Sequence, residues 1–109
     1  MTKIYSKEFK DTVIFHIQGE LNKDEKVEEL KTRINNYISK GKKKFVINLK
    51  EVTTISSTGL SILIGLLSLT SSTNCKLILT ELSEPVQKIL ETTKLTSIFD
   101  IQEVLLEKE

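Results

Sequence analysis

The chain has 109 residues, of which 39% are hydrophobic, enough for one compact core and too few for two ordinary domains. Sixteen Lys and Arg against fifteen Asp and Glu leave a net charge of +1, which removes the electrostatic case for a nucleic-acid partner and suits a protein partner better. Cys75 is the one cysteine, so an internal disulfide, a C-x-x-C redox motif and a cysteine zinc site are excluded, and a reducing compartment is expected.

The N-terminal stretch Met1-Thr2-Lys3-Ile4-Tyr5-Ser6-Lys7-Glu8 carries charges where a secretory signal needs an apolar run. No window reaches a membrane-spanning length; Ile62–Leu69, the most apolar stretch, is interrupted by Gly65 and Ser68 and reads as a buried helix. The expectation is a cytoplasmic protein with no membrane insertion.

Lys3–Phe9 and Thr12–Gln18 read as two strands about a turn at Lys10-Asp11, with Val13, Phe15 and Ile17 alternating against Ile14, His16 and Gln18. Gly19-Glu20-Leu21-Asn22 reads as a loop. Val27, Leu30, Ile34, Tyr37 and Ile38 then recur at helical spacing, predicting a helix from about Asp24 to Ser39. Gly41 ends it, and the basic run Lys40-Gly41-Lys42-Lys43-Lys44, without interleaved aromatics, reads as a solvated turn. Lys44-Phe45-Val46-Ile47-Asn48-Leu49 predicts a central strand.

A second helix is expected to start near Ser57, with Leu60, Leu63, Ile64 and Leu67 as its core stripe. Ile62, Leu66 and Leu69 form a second apolar line, expected to lie against a third helix or to serve as partner surface. Lys76–Thr80 predicts a strand, and Ser83-Glu84-Pro85 opens a third helix with Ser83 as cap and Val86, Ile89 and Leu90 inward. Ile98-Phe99-Asp100-Ile101 reads as a short edge strand, and Gln102–Glu109 as a polar, helical tail.

Strands alternating with helices after a hairpin imply an α/β fold with a mixed sheet of four to five strands in the order ββαβαβα(β), one domain over residues 1–109. In such sheets, sites form beyond the carboxyl ends of the strands, which would group residues 19–22, 54–59 and 81–84.

Within that group, Ser56-Ser57-Thr58-Gly59-Leu60 sets hydroxyls at a helix start, where unpaired backbone N–H groups and partial positive charge support either a cap or a phosphate. The residues leave open whether Ser56 or Ser57 is the cap. Catalysis finds little support. His16, the one histidine, sits in a strand as a structural residue, and no nucleophile elbow or glycine-rich nucleotide loop occurs. One Cys and one His cannot build a zinc tetrahedron, Glu28 and Glu29 read as solvent-facing, and Cys75 reads as a small buried apolar residue. No cofactor or metal is expected.

Gly19-Glu20-Leu21-Asn22, Phe45–Leu49, Ile55–Leu60 and Ser83-Glu84-Pro85-Val86 together resemble a STAS domain of the anti-sigma factor antagonist type across nearly the whole chain. Members carry Asp-Ser-Ser/Thr-Gly-Leu at the strand-to-helix junction; here Ser56 replaces that aspartate, and Asn22 replaces the aspartate after Gly-x-Leu. Glu20 and Asp24 are nearby carboxylates in sequence. The resemblance implies a non-enzymatic regulator. Unphosphorylated, it binds an anti-sigma factor serine kinase and releases a sigma factor; phosphorylation at Ser57 blocks binding until a metal-dependent serine phosphatase restores the hydroxyl. Asn22, Asp24, Ser56, Ser57, Thr58, Gly59 and Leu60 are then the expected partner-binding residues, on a monomer or weak dimer. The alternative is a STAS scaffold or accessory subunit of a transport or sensory complex, without a phosphorylation cycle.

Overall fold

Alternating apolar positions in the first twenty residues close into a hairpin, β1 (Lys3–Phe9) against β2 (Thr12–Leu21), in the computed structural model, which describes residues 2–102. Phe9 pairs with Thr12 across the two-residue turn, where Lys10 takes φ 56°, the left-handed backbone that short hairpin loops use.

Helix α1 (Glu25–Ser39) starts where Asp24, in extended backbone, accepts a hydrogen bond from the Lys26 amide at 2.8 Å. It ends in a Schellman motif: Gly41 takes φ 94°, its amide donates to the Ile38 carbonyl, and the Lys42 amide donates to that of Tyr37, each at 3.0 Å. Next come β3 (Lys44–Ile55), α2 (Ser57–Ser72), β4 (Lys76–Thr80), α3 (Glu84–Thr92) and β5 (Asp100–Gln102).

The five strands lie in the order β1-β2-β3-β4-β5, parallel throughout except for β1. Val13, Phe15 and Ile17 of β2, Phe45, Ile47 and Leu49 of β3, and Leu77 and Leu79 of β4 form one core with Val27, Leu30 and Ile34 of α1, Leu63 and Leu66 of α2, and Val86 and Leu90 of α3. The intervening positions Ile14, Val46 and Ile78 form a separate small cluster on the other sheet face.

Several boundaries and faces differ from the sequence expectation. Strand β2 continues through Gly19 to Leu21 instead of ending at Gln18, and β3 continues six residues past Leu49. The two extensions pair with each other, Leu21 opposite Ile55, after register shifts at His16/Gln18 and Gly19/Glu20. Bulges of this kind break strict alternation, so the pattern of two stops being readable where the pairing continues.

On α2, Ile64 is 38% exposed, whereas Leu66, assigned to a second stripe, is fully buried. The inner line is Gly59, Leu63, Leu66 and Thr70, with the Thr70 hydroxyl donating to the Leu66 and Leu67 carbonyls at 3.0 and 3.1 Å. A helix apolar on most sides offers no periodicity to select the inward face. Strand β5 starts at Asp100 because Phe99 turns into the core while Ile98 stays exposed. Cys75 is half-buried at the core's edge. The helical tail expected after Gln102 lies outside the described residues.

Candidate functional site

Ile55 ends β3 beside Leu21, and the chain must turn into α2 within one residue. Ser56 does this in extended backbone (φ −97°, ψ 171°), its Oγ accepting from the Gly59 amide at 3.1 Å and its carbonyl accepting from Leu60 at 2.9 Å. Ser56 is therefore the cap. Ser57 is the first helical residue, exposed, with its hydroxyl outside the capping bond, and Thr58 beside it is also exposed.

Gly59 explains how tightly this turn packs. A Cβ there would stand 2.7 Å from the Leu21 carbonyl carbon and closer still to its oxygen, the same oxygen that accepts from the Ser56 amide at 3.1 Å. Only a residue without a side chain admits this approach of the end of β2 to the mouth of α2. Leu60, 8% exposed, then anchors the first turn in the core.

The structure thus joins the residue 19–22 segment to the Ser56–Leu60 junction at one end of the sheet. Asn22 follows Leu21 directly and is half-buried; Asp24 is two residues further, with its carboxylate engaged as the cap of α1. Glu20 is exposed in β2, opposite Thr54. Gly59 and Leu60, expected to touch a partner, lie below the surface and hold the junction in place. The segment after β4 joins β3 lower down: Ser83 donates its amide to Leu49 at 3.2 Å and Glu81 accepts from Asn48, because β3 outruns β4. Ser83 occupies the cap position of α3, but its side chain makes no capping bond.

Electrostatically, the mouth of α2 is bare. The first turn of α1 carries Glu25 and Glu28 and that of α3 carries Glu84, whereas the first turn of α2 carries no acidic side chain. Its partial positive charge is uncompensated by a local carboxylate, which favours an incoming anion.

A second concave feature escaped the sequence reading. His16, Asn48, Lys50, Glu51 and Glu81 line a cleft of about 240 Å³ on the sheet face away from the helices. Asn48 bridges Glu81 and the Lys50 amide at 3.0 and 2.9 Å, and Gln18 donates to Glu51 at 2.6 Å. Glu81 adopts φ 52° without being Gly or Asn, so no turn signal marks it. No group of three His, Cys, Asp or Glu able to hold a metal occurs among the described residues, and no helix among them is long and apolar enough to cross a membrane.

The chain is thus an α/β domain of parallel β-α units behind an antiparallel first strand, with a small-hydroxyl motif where its longest strand, β3, enters α2. The STAS domain model matches residues 3–107, and the chain belongs to the STAS domain family. Among solved structures, a candidate anti-sigma factor antagonist of Thermotoga maritima is similar over 94% of this chain and 87% of its own, at 27% identity and a TM-score of 0.82. The anti-sigma factor antagonist SpoIIAA in its unphosphorylated form matches over 94% of this chain and 89% of its own, at 19% identity and TM-score 0.79. The phosphorylated form of the Bacillus cell fate determinant SpoIIAA matches over 94% and 92%, at 19% identity and TM-score 0.74. These last two share the fold.

Proposed function

We propose that this chain is an anti-sigma factor antagonist that works by partner switching in the cytoplasm. In its unmodified form it binds an anti-sigma factor that is also a serine kinase, and so releases a sigma factor. The kinase transfers the γ-phosphoryl group of ATP to Ser57: the Oγ–P bond forms, the bond to the β-phosphate oxygen breaks, ADP leaves and the hydroxyl proton is lost. A metal-dependent serine phosphatase hydrolyses the ester and resets the switch. This chain performs no catalysis in the cycle; nucleotide and metal belong to its partners.

The observation that carries the reading is the division of labour at the junction, where Ser56 caps α2 and leaves the Ser57 hydroxyl exposed at the first helical position. A phosphate there adds a charge of about −1.5 to −2 beside a helix N-terminus that lacks its own carboxylate, so the fold tolerates it. The partner interface does not, because a neutral hydroxyl docked against protein becomes a dianion that must be desolvated. A 100-fold loss of affinity requires only about 2.7 kcal/mol. Asn22, Thr58 and Ser57 supply the contact surface, with Ser56, Asp24, Gly59 and Leu60 holding its shape.

Incubation with the cognate kinase and ATP, followed by mass spectrometry, tests this directly. The expected product carries one phosphate, on Ser57, and Ser57→Ala carries none; phosphate elsewhere, or none on the wild type, contradicts the proposal. Ser56 and Asn22, standing where relatives carry carboxylates, favour a second reading as a scaffold without the phosphate cycle. Affinity capture separates the two: an ATP-binding anti-sigma kinase supports the first, and transporter or sensory subunits support the second.

A further inference from the structure

The sheet has two faces, and the three helices cover one of them. Val13, Phe15 and Ile17 with their neighbours on β3 and β4 face α1, α2 and α3, and Leu95 and Phe99 of the link from α3 to β5 join the same core. Alternate strand positions point the other way. At the centre of that outer face Ile14, Val46 and Ile78 stand side by side on β2, β3 and β4, and they are as dry as the core, at 4%, 0% and 2% exposure. Neighbouring strands shield the flanks of such side chains but not their tips, so a row this dry in mid-sheet has something lying over it. Lys7, His16 and Thr80 on the same face are each engaged in an interaction as well.

The chemistry of the face specifies its cover, which has to be apolar in the middle and acidic at the edges. Lys7 is level with Ile14, and Lys44 and Lys76 come two residues before Val46 and Ile78, against the carboxylate of Asp100 opposite Ile78. Residues 103–109 have the matching composition: Val104-Leu105-Leu106 stands between Glu103 and Glu107-Lys108-Glu109, three glutamates to one lysine. They continue directly from β5, the strand beside β4. Seven residues reach up to about 23 Å when extended. From β5 to β2 is three strand spacings, about 14 Å, so the segment is long enough to cross the row. A second copy laid on this face would bring lysines against lysines, which disfavours it as the occupant.

We infer that residues 103–109 lie across the outer face of the sheet as a strap, with Val104, Leu105 and Leu106 over Ile14, Val46 and Ile78 and the glutamates towards Lys7, Lys44 and Lys76. A sheet that is parallel in all but one strand is ordinarily buried on both faces, and here the crossover helices bury only one. The strap completes the second side with the chain's own residues. It also closes an apolar patch that the sheet would otherwise present to partners or to other copies. The inference stands whether or not Ser57 is phosphorylated.

Methyl-to-methyl NOE spectroscopy of the unaltered full chain tests this. The expected result is a set of cross-peaks joining Val104, Leu105 and Leu106 to Ile14, Val46 and Ile78, and none joining them to Leu63 or Leu66 on the helical side. In a sample mixing isotope-labelled with unlabelled chains, the same cross-peaks are expected within the labelled chain and not between chains, which separates the strap from a second copy. The full chain carrying both Leu105→Asp and Leu106→Asp is expected to unfold at a lower urea concentration and to bind more of a hydrophobic dye, because water then reaches the row. Absence of the cross-peaks, cross-peaks found only between chains, or a double variant with the urea midpoint and dye binding of the wild type would each overturn the inference.

Discussion

A methyl group added at Gly59 would collide with the backbone carbonyl of Leu21, which cannot swing away as a side-chain tip can. Gly59→Ala should therefore cost roughly 1–3 kcal/mol, read as a lowered urea midpoint, and should separate the Asn22 segment from the mouth of α2. Ser56→Ala removes the capping acceptor and should cost about 1 kcal/mol. Ser57→Ala, one residue on, should change stability by less than about 0.5 kcal/mol, since that hydroxyl takes no part in the cap. Urea titration of the two alanine variants side by side checks the division; equal losses would mean that both hydroxyls hold the helix. The sequence placed the hydroxyls at the helix start but left their roles open, because Ser56 and Ser57 are chemically identical and only the extended backbone at Ser56 distinguishes them.

At the scale of elements, α2 is where composition and geometry part. Leu60, Leu63, Ile64 and Leu67 satisfied helical spacing, yet Ile64 points outward and Leu66 inward, since an almost wholly apolar helix allows several inward faces. Leu66→Ala should cost about 2–5 kcal/mol and Ile64→Ala less than about 1 kcal/mol, a contrast that thermal or urea unfolding resolves. Helix α1 was legible to within a residue because Asp24 and Gly41 mark its ends and its apolar stripe runs through a charged background. The far end of β3 was not: Lys50–Ile55 is apolar only at Val52 and Ile55, a spacing of three that does not alternate, and is strand because it pairs with the extended β2 past two register shifts.

For the whole molecule, chain order carried most of the fold. A hairpin followed by alternating helices and strands leaves few topologies once crossovers are right-handed, and the sheet order β1-β2-β3-β4-β5 is the simplest of them. What chain order could not give was how far β3 outruns β4. That overhang separates the Ser57 junction from the Glu81–Ser83 segment, so the three loops expected at one site resolve into one junction at Leu21–Leu60 and one contact lower on β3. The proposed switch accordingly works on a small surface at one end of the sheet, through local charge and without refolding.

Isothermal titration calorimetry of the anti-sigma kinase with the unmodified chain and with the chain stoichiometrically phosphorylated on Ser57 tests the central claim most directly. The account predicts a loss of affinity of at least about 100-fold, equivalent to about 2.7 kcal/mol, with the thermal midpoint of the phosphorylated chain close to that of the unmodified one. Equal affinity for the two forms, or a phosphorylated chain that fails to bind because it has unfolded, would contradict it.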